Sequence, residues 1–152
     1  MTATGYARLE KELKQLKTVE RPAVIEAISE ARAHGDLKEN AEYHAAKEKQ
    51  SFIEGRIQEL EAVVSRAEVI DLATLRGDMV KFGATVKLVD EESEEEITYQ
   101  VVGDYEADIN RNLISTSAPI GRALIGKKKG ASVEVITAKG TRFYEVLEVE
   151  FN

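Results

Sequence analysis

Between Tyr43 and Ala67 a mostly apolar series falls at Tyr43, Ala46, Gln50, Ile53, Ile57, Leu60, Val64 and Ala67, alternating steps of three and four. Only a helix lays such a series along one stripe. Glu48, Lys49, Glu54, Arg56, Glu59 and Glu61 fall on the other faces, so the stripe is a heptad-like seam with a solvated outer surface. A helix from about Glu39 to Leu72 would be roughly 50 Å long at about 1.5 Å per residue. Upstream, Leu9, Leu13, Leu16, Ile25 and Ile28 form a second stripe from Tyr6 to about Ala33, interrupted by Pro22. Proline kinks a helix or opens a new one, so two pieces roughly in line are expected. Neither stripe can remain in water. The economical arrangement is an antiparallel hairpin reversed over His34–Lys38, with Gly35 supplying the turn.

From Arg76 onward the period changes. "VKFGATVKLVD", "EEITYQVVGD", "NLISTSAP", "ASVEVITA" and "RFYEVLEVEF" are short β-branched or aromatic runs separated by charged or glycine-containing turns, the signature of strands in a mostly antiparallel sheet. "DEESEEE", Asp90–Glu96, reads as a hairpin tip, and "SAPIGRALIGKKKG" as a short helix opened by Pro119 and closed near Gly126. The expected class is α+β. An antiparallel coiled coil over residues 1–74, with an acidic tip at 34–40, precedes a small domain over 77–152.

Composition narrows the chemistry. The 152 residues contain no cysteine and two histidines, which excludes thiol catalysis, a disulfide framework and cysteine-ligated zinc. Net charge is −7. The acidic surplus is shared, with 11 Lys+Arg against 14 Asp+Glu in residues 1–72 and 10 against 14 in residues 73–152. General adhesion to nucleic acid needs the opposite balance, so any such contact has to be local. No apolar run approaches the roughly 20 residues that span a bilayer, and a cytoplasmic protein without membrane contact is the default expectation.

The stretch "HGDLKENAEYHAAKEKQ" carries Asp36 and Glu39 three residues apart, near Arg32, Lys38 and Lys47. Read from the residues, Asp36-x-x-Glu39 resembles a capping box at the start of the second long helix. Arg32, Lys38 and Lys47 can grip phosphates locally or be ordinary solvated helix charges. Tyr43 can stack on a base, although its place on the seam favours packing. His34 and His44 form no recognised zinc spacing and suit Mg²⁺ poorly. Lys127–Lys129 is a possible contact surface or a solvated turn.

"ARAHGDLKENAEYHAAKEKQSFIEGRI", Ala31 to Ile57, resembles the tip segment of the bacterial Gre transcript-cleavage factors. "FGATVKLVD", "GDYEADINRNLIS" and "SAPIGRALIGKKKGASVEV" resemble their C-terminal domain. The likeness runs from "LEKEL" to "EVLEVEF" and is to the GreA type. It implies a coiled coil that enters the secondary channel of bacterial RNA polymerase, and an FKBP-like domain that docks on the rim of that channel. The tip would then stimulate cleavage of the 3′ end of backtracked nascent RNA, the active site belonging to polymerase. Asp36 and Glu39 correspond to the tip acids credited with holding the second catalytic Mg²⁺, shared with polymerase and not bound tightly by the isolated factor. Arg32 and Lys47, with Lys38, correspond to a small RNA-holding basic patch. The resemblance leaves two other activities to weigh: a channel-occupying inhibitor of the same architecture, and a prolyl isomerase or chaperone with a coiled-coil handle. An isomerase needs an aromatic-lined apolar pocket, and fold alone does not carry that activity.

Overall fold

The computed structural model describes residues 1–35 and 40–152. Their contacts divide into two compact units: Tyr6–Ala67, and Met1–Gly5 together with Glu68–Asn152. The division expected at residues 74–77 therefore differs at two places, since Met1–Gly5 and Glu68–Leu75 group with the C-terminal part.

In the helical unit, α1 (Ala3–Gln15) passes through one π-helical turn (Leu16–Glu20) into α2 (Arg21–Arg32), and α3 (Ala41–Arg66) packs against α2. Pro22 explains the π turn. Its nitrogen cannot donate and its ring crowds the carbonyl four residues back, and a turn widened by one residue accommodates both. The Arg21 N–H accordingly donates to the Leu16 carbonyl, five residues back, while the backbone stays helical on both sides. Proline neither breaks the helix nor starts a separate one.

The inserted residue also moves the apolar stripe. An unbroken α-helix would continue Leu9, Leu13 and Leu16 through Glu20 and Ala27. One extra residue, worth about 100° of rotation, shifts the inward positions to Arg21, Val24, Ile28 and Ala31. Val24 and Ala31 are buried, Ile28 is half-buried and Ala27 is exposed. Ile25, expected in the seam, is 52% exposed: nine residues beyond Leu16, it would lie opposite the stripe in an unbroken helix and still stands about 80° from it after the extra residue.

On α3 every expected seam position is buried or half-buried, with Ile53, Ile57 and Leu60 innermost. Val24, Ile53 and Ile57 form the core of the unit, with Leu13 and Leu16 against it. Two forked ion pairs set the register of the arms. Arg21 Nε and Nη2 each lie 2.9 Å from Glu54 carboxylate oxygens, and Arg56 Nε and Nη2 lie 3.0 and 3.2 Å from those of Glu12. Lys17 adds a contact with Glu61. Half-exposed pairs add little energy, so the apolar seam stabilises the unit and the arginine forks fix its alignment.

With 26 residues α3 is about 39 Å long, shorter than expected. It ends because Ala67 turns extended, with ψ 135°. Beyond it Ile70 pairs with Thr2 as a parallel bridge and donates its N–H to the Met1 carbonyl at 2.8 Å. A 3₁₀ turn at Leu72–Thr74 follows, with Asp71 as its cap.

The C-terminal unit is a five-stranded sheet: β1 (Thr85–Asp90), β2 (Glu96–Val102), β3 (Leu113–Ser115), β4 (Ser132–Thr137) and β5 (Gly140–Glu150), in the order β3-β2-β1-β5-β4. All neighbours are antiparallel except β2 and β3. The expected α+β class with a mostly antiparallel sheet is what the chain adopts. Val86, Leu88, Val101, Val133, Val135 and Val146 alternate inward. The short helix α4 (Pro119–Leu124) closes the core with Leu124. A β-carbon on Gly121 would lie 1.9 Å from the Ser115 carbonyl oxygen, so glycine is required where α4 crosses the end of β3.

A buried carboxylate joins the ends of this unit. Glu106 is 1% exposed. Its Oε1 accepts from the Thr2 N–H at 2.8 Å and the Thr2 hydroxyl at 2.5 Å, and its Oε2 from the Gly103 N–H at 3.0 Å. Buried charge is tolerated when it is hydrogen-bonded. The first turn of α1 adds partial positive charge, and Thr2 caps that turn by accepting from the Gly5 N–H at 3.0 Å.

At the β1–β2 tip Asp90 Oδ1 accepts from the N–H groups of Glu92 and Ser93, 2.9 and 3.1 Å away, and Oδ2 from Arg142 at 3.1 Å. Glu94 takes the left-handed conformation that completes the reversal. The Ser93 and Glu92 amides, then Arg142, hold Asp90 below its ordinary value of 3.8. Its stabilising effect is therefore present above that value and lost as pH falls through the lower folded-state value. Asp90→Ala should lower the melting temperature of the sheet at pH 7, and the gap to wild type should narrow as pH drops below the ordinary carboxylate range, read in thermal melts. In the helical unit, Ile57→Ala should cost roughly 2–5 kcal/mol. Ile57→Asp, which puts an unpaired charge in the seam, should abolish the helical signal in circular dichroism beyond that of α4.

Candidate functional site

The last turn of α2 tightens before the chain reverses. The N–H groups of Ala33, His34 and Gly35 reach the carbonyls of Glu30, Ala31 and Arg32 at 3.1, 3.1 and 3.5 Å. Gly35 has φ 115°, a conformation in which a side chain would be strained, as expected of the residue that starts the reversal. Asp36, Lys38 and Glu39, the sequence-predicted acids and one of the predicted cations, lie outside the described residues.

The chain is described again from Asn40, whose extended backbone (φ −83°, ψ 95°) marks it as the N-cap of α3. Its Oδ1 accepts from the Tyr43 N–H at 3.0 Å, and its Nδ2 donates to the Ala31 carbonyl at 2.5 Å. The capping-box reading of Asp36 and Glu39 falls outside the described residues. The described helix α3 begins at Ala41, and its cap is an amide rather than a carboxylate.

Arg32 closes α2 and Lys47 lies two turns into α3, both exposed. Lys47 Nζ is 3.4 Å from Gln50 Oε1. Tyr43 is half-buried on the seam, its ring edge-on to His44 with centroids 5.6 Å apart, which accords with packing. His34 and His44 are exposed. Among the described residues no three acidic or histidine side chains cluster as metal ligands would.

A second feature lies in the C-terminal unit. A cleft of about 560 Å³ opens between the Met79–Phe82 segment and α4, walled by Met79, Phe82 and Ile125 and flanked by Lys81 and Arg122. Ile125 is 40% exposed. Lys127–Lys129 runs along the segment that forms one wall: the Val80 N–H donates to the Lys127 carbonyl at 2.7 Å, the Lys129 N–H donates to the Asp78 carbonyl at 3.0 Å, and the three side chains stay exposed. An apolar floor with a cationic margin thus occurs on a chain of net charge −7. Thr116 borders the cleft in a loop where Asp104 accepts from the hydroxyls of Ser115 and Ser117, which pull its carboxyl below the ordinary range. Sequence reasoning misses this cleft because its walls come from segments about 40 residues apart, each reading as ordinary strand or helix. The one aromatic in its wall is Phe82, far from the aromatic lining of an isomerase pocket.

A helical hairpin followed by this small sheet domain defines a two-part factor, and both parts match known patterns of transcription elongation factors. Residues 1–69 match the pattern described as "Transcription elongation factor, N-terminal", and residues 75–151 the one described as "Transcription elongation factor, GreA/GreB, C-term". The chain belongs to the GreA/GreB family. It is 66% identical to transcription elongation factor GreA of Rhodospirillum rubrum and 64% identical to that of Azorhizobium caulinodans, in each case over 99% of this chain and 96% of the relative. Among solved structures it is similar to GreA factor homolog 1 of Thermus thermophilus, with 30% identity over 99% of this chain and 97% of the other and a TM-score of 0.45. It is also similar to a GreA/GreB factor from Nitrosomonas europaea, with 33% identity over 64% of this chain and 80% of the other and a TM-score of 0.45. No described helix is long and apolar enough to cross a membrane.

Proposed function

We propose that this chain binds bacterial RNA polymerase, places the α2–α3 turn in the secondary channel, and stimulates cleavage of the 3′ RNA of backtracked complexes. The observation that carries the reading is the Asn40 cap. Because α3 is capped by a neutral amide, the Asp36 and Glu39 carboxylates that precede it are not needed for that duty. Membership of the GreA/GreB family, over nearly the whole chain, supports the same reading.

The donor set fits Mg²⁺, a hard cation that takes oxygen ligands, and two carboxylates are too few to satisfy it alone. The remaining ligands would be waters and polymerase groups, which makes the chain an accessory to the active centre of its partner. Bound there, Mg²⁺ would lower the pKa of the attacking water and stabilise charge on the transferring phosphoryl group. Two carboxylates about 6 Å apart repel by only roughly 0.7 kcal/mol in water, so the free factor can carry both ionised. In a narrow channel of lower polarity the same pair focuses negative potential. Arg32 and Lys47, with Lys38, would grip phosphates of the extruded RNA.

The cleft of the C-terminal unit supplies the docking surface in this reading. Its apolar floor suits a helix face, and Lys81, Arg122 and Lys127–Lys129 suit acidic residues flanking that face.

Two experiments test these parts separately. In a halted, backtracked elongation complex with end-labelled RNA and Mg²⁺, the native chain should shorten the transcript. The Asp36→Ala/Glu39→Ala variant should bind polymerase but leave the RNA intact. If both bind and neither cleaves, the chain is a channel-occupying inhibitor. Ile125→Glu should weaken binding to polymerase at least tenfold while leaving maximal cleavage near native at saturating factor. Native binding by that variant would remove the cleft from the interface.

A further inference from the structure

The two walls of the cleft in the C-terminal unit are joined by a carboxylate that does not line it. Asp104 follows β2 in a tight turn. The Glu106 and Ala107 N–H groups donate to the Gly103 carbonyl at 3.0 and 3.1 Å, and the Gly103 N–H donates to the buried Glu106 carboxylate at 3.0 Å. This turn abuts one wall, since a β-carbon on Gly103 would lie 3.9 Å from the edge of the Phe82 ring. The Asp104 carboxylate reaches the other. Its Oδ1 accepts from the hydroxyls of Ser115 and Ser117, which stand on either side of Thr116, a residue of the cleft lining.

These contacts determine where the second wall stands. Asp104 is separated from the two serines by 11 and 13 positions, so its bonds join the end of β2 to the β3–α4 connection. Ser115 passes the constraint on. Its hydroxyl oxygen accepts from the Ser117 N–H at 3.0 Å and its carbonyl from the Ala118 N–H at 3.1 Å, and Gly121 of α4 packs directly on that carbonyl. Arg122 and Ile125 of the cleft follow in and just after α4. Beyond α4 the walls are tied by the Gly126 N–H on the Val80 carbonyl at 2.8 Å, and before it by the Thr116 N–H on the Val102 carbonyl at 2.9 Å, the tie that Asp104 reinforces. A hydroxyl bond to a carboxylate is stronger than a neutral one. Asp104 and Ser117 are nevertheless exposed, and exposed polar contacts add little to folding. Bonds that contribute little to stability yet fix the wall of a cleft are accounted for by the cleft.

We infer that Asp104 is a positioning residue for partner docking, holding the Ser115–Ser117 loop against the Phe82 side so that the cleft meets polymerase already shaped. The inference rests on the docking role proposed above for the cleft. Without Asp104 the loop has to be ordered when the partner arrives, which lowers affinity. Contact groups of a binding site need supporting bonds that hold them within about 0.5 Å.

The test measures the dissociation constant for RNA polymerase by fluorescence anisotropy of the labelled full chain, with a thermal melt of each variant. Asp104→Ala should weaken binding about tenfold, and Ser115→Ala/Ser117→Ala to a similar degree, with melting temperatures near native. All three substitutions together should weaken binding no further than either set alone, because both sets remove the same bonds. Asp104→Asn keeps an acceptor oxygen without the charge and should fall between native and alanine. Native affinity in Asp104→Ala overturns the inference. Losses that add in the combined variant also overturn it, since Asp104 would then act by touching the partner itself. So does a loss of affinity matched by a fall in melting temperature, which assigns Asp104 to folding. Ile125→Glu separates the two claims. If it binds natively, the cleft is no interface and the docking reading fails with everything resting on it; if it alone binds weakly, only the Asp104 assignment fails.

Discussion

A two-helix hairpin has no interior apart from its seam, and the helical unit depends on two stripes meeting in register. Val24 from one arm and Ile53 and Ile57 from the other supply most of that contact. The widened turn before Pro22 determines which residues the first arm can offer, because every position after it is rotated by one residue. A proline that appears to interrupt a coiled coil thereby selects Val24 and Ala31 over Ala27 as inward residues. The forked Arg21–Glu54 and Arg56–Glu12 pairs then penalise a slip of the arms, since a slip would separate four half-exposed charges. Energy and alignment come from different residues, and each set can vary without immediately disabling the other.

The C-terminal unit solves a different problem. Its sheet is closed by α4 on the core side, and among its buried polar groups the Glu106 carboxylate is the least exposed. Thr2 and Gly103 donate hydrogen bonds to that group, and a β-carbon on Gly5 would meet it at 2.0 Å. The carboxylate therefore dictates a glycine and a hydroxyl residue at the beginning of α1, and the segment Met1–Gly5 groups with the sheet instead of with the rest of its own helix.

What could be read in advance follows from how local each signal is. The α3 stripe is written within 25 consecutive residues, and all eight of its expected positions turn inward. Each of the five strand-like runs contains a strand, and Pro119 and Gly126 bound the short helix as their conformational limits require. Ile25 lies off the seam because its nine-residue spacing from Leu16 matches no helical stripe, which apolar character alone does not reveal. The far end of α3 was overextended because Ile70 pairs with Thr2, a partner 68 positions away that leaves no trace in local periodicity. The burial of Glu106 is illegible for the same reason: its partner Thr2 is separated from it by 104 positions. Of the candidate site, the composition of the turn was legible, whereas the double duty of Asn40 needs the end of one helix and the start of another together.

The division of labour at that turn has a physical logic. Capping and metal binding draw on the same carboxylate lone pairs, so an acid that closes a helix is less available to a cation. Asparagine closes α3 with an amide oxygen, which carries no net charge, and spends its amide hydrogens on Ala31. In the proposed reading this leaves the charge of Asp36 and Glu39 for a metal whose remaining ligands belong to the partner. Incompleteness then has a use of its own. A site with enough donors to hold Mg²⁺ unaided could assemble a hydrolytic centre on any RNA it met, whereas two carboxylates become effective only where a second protein supplies the rest. Weak intrinsic affinity and strict dependence on position are then one property.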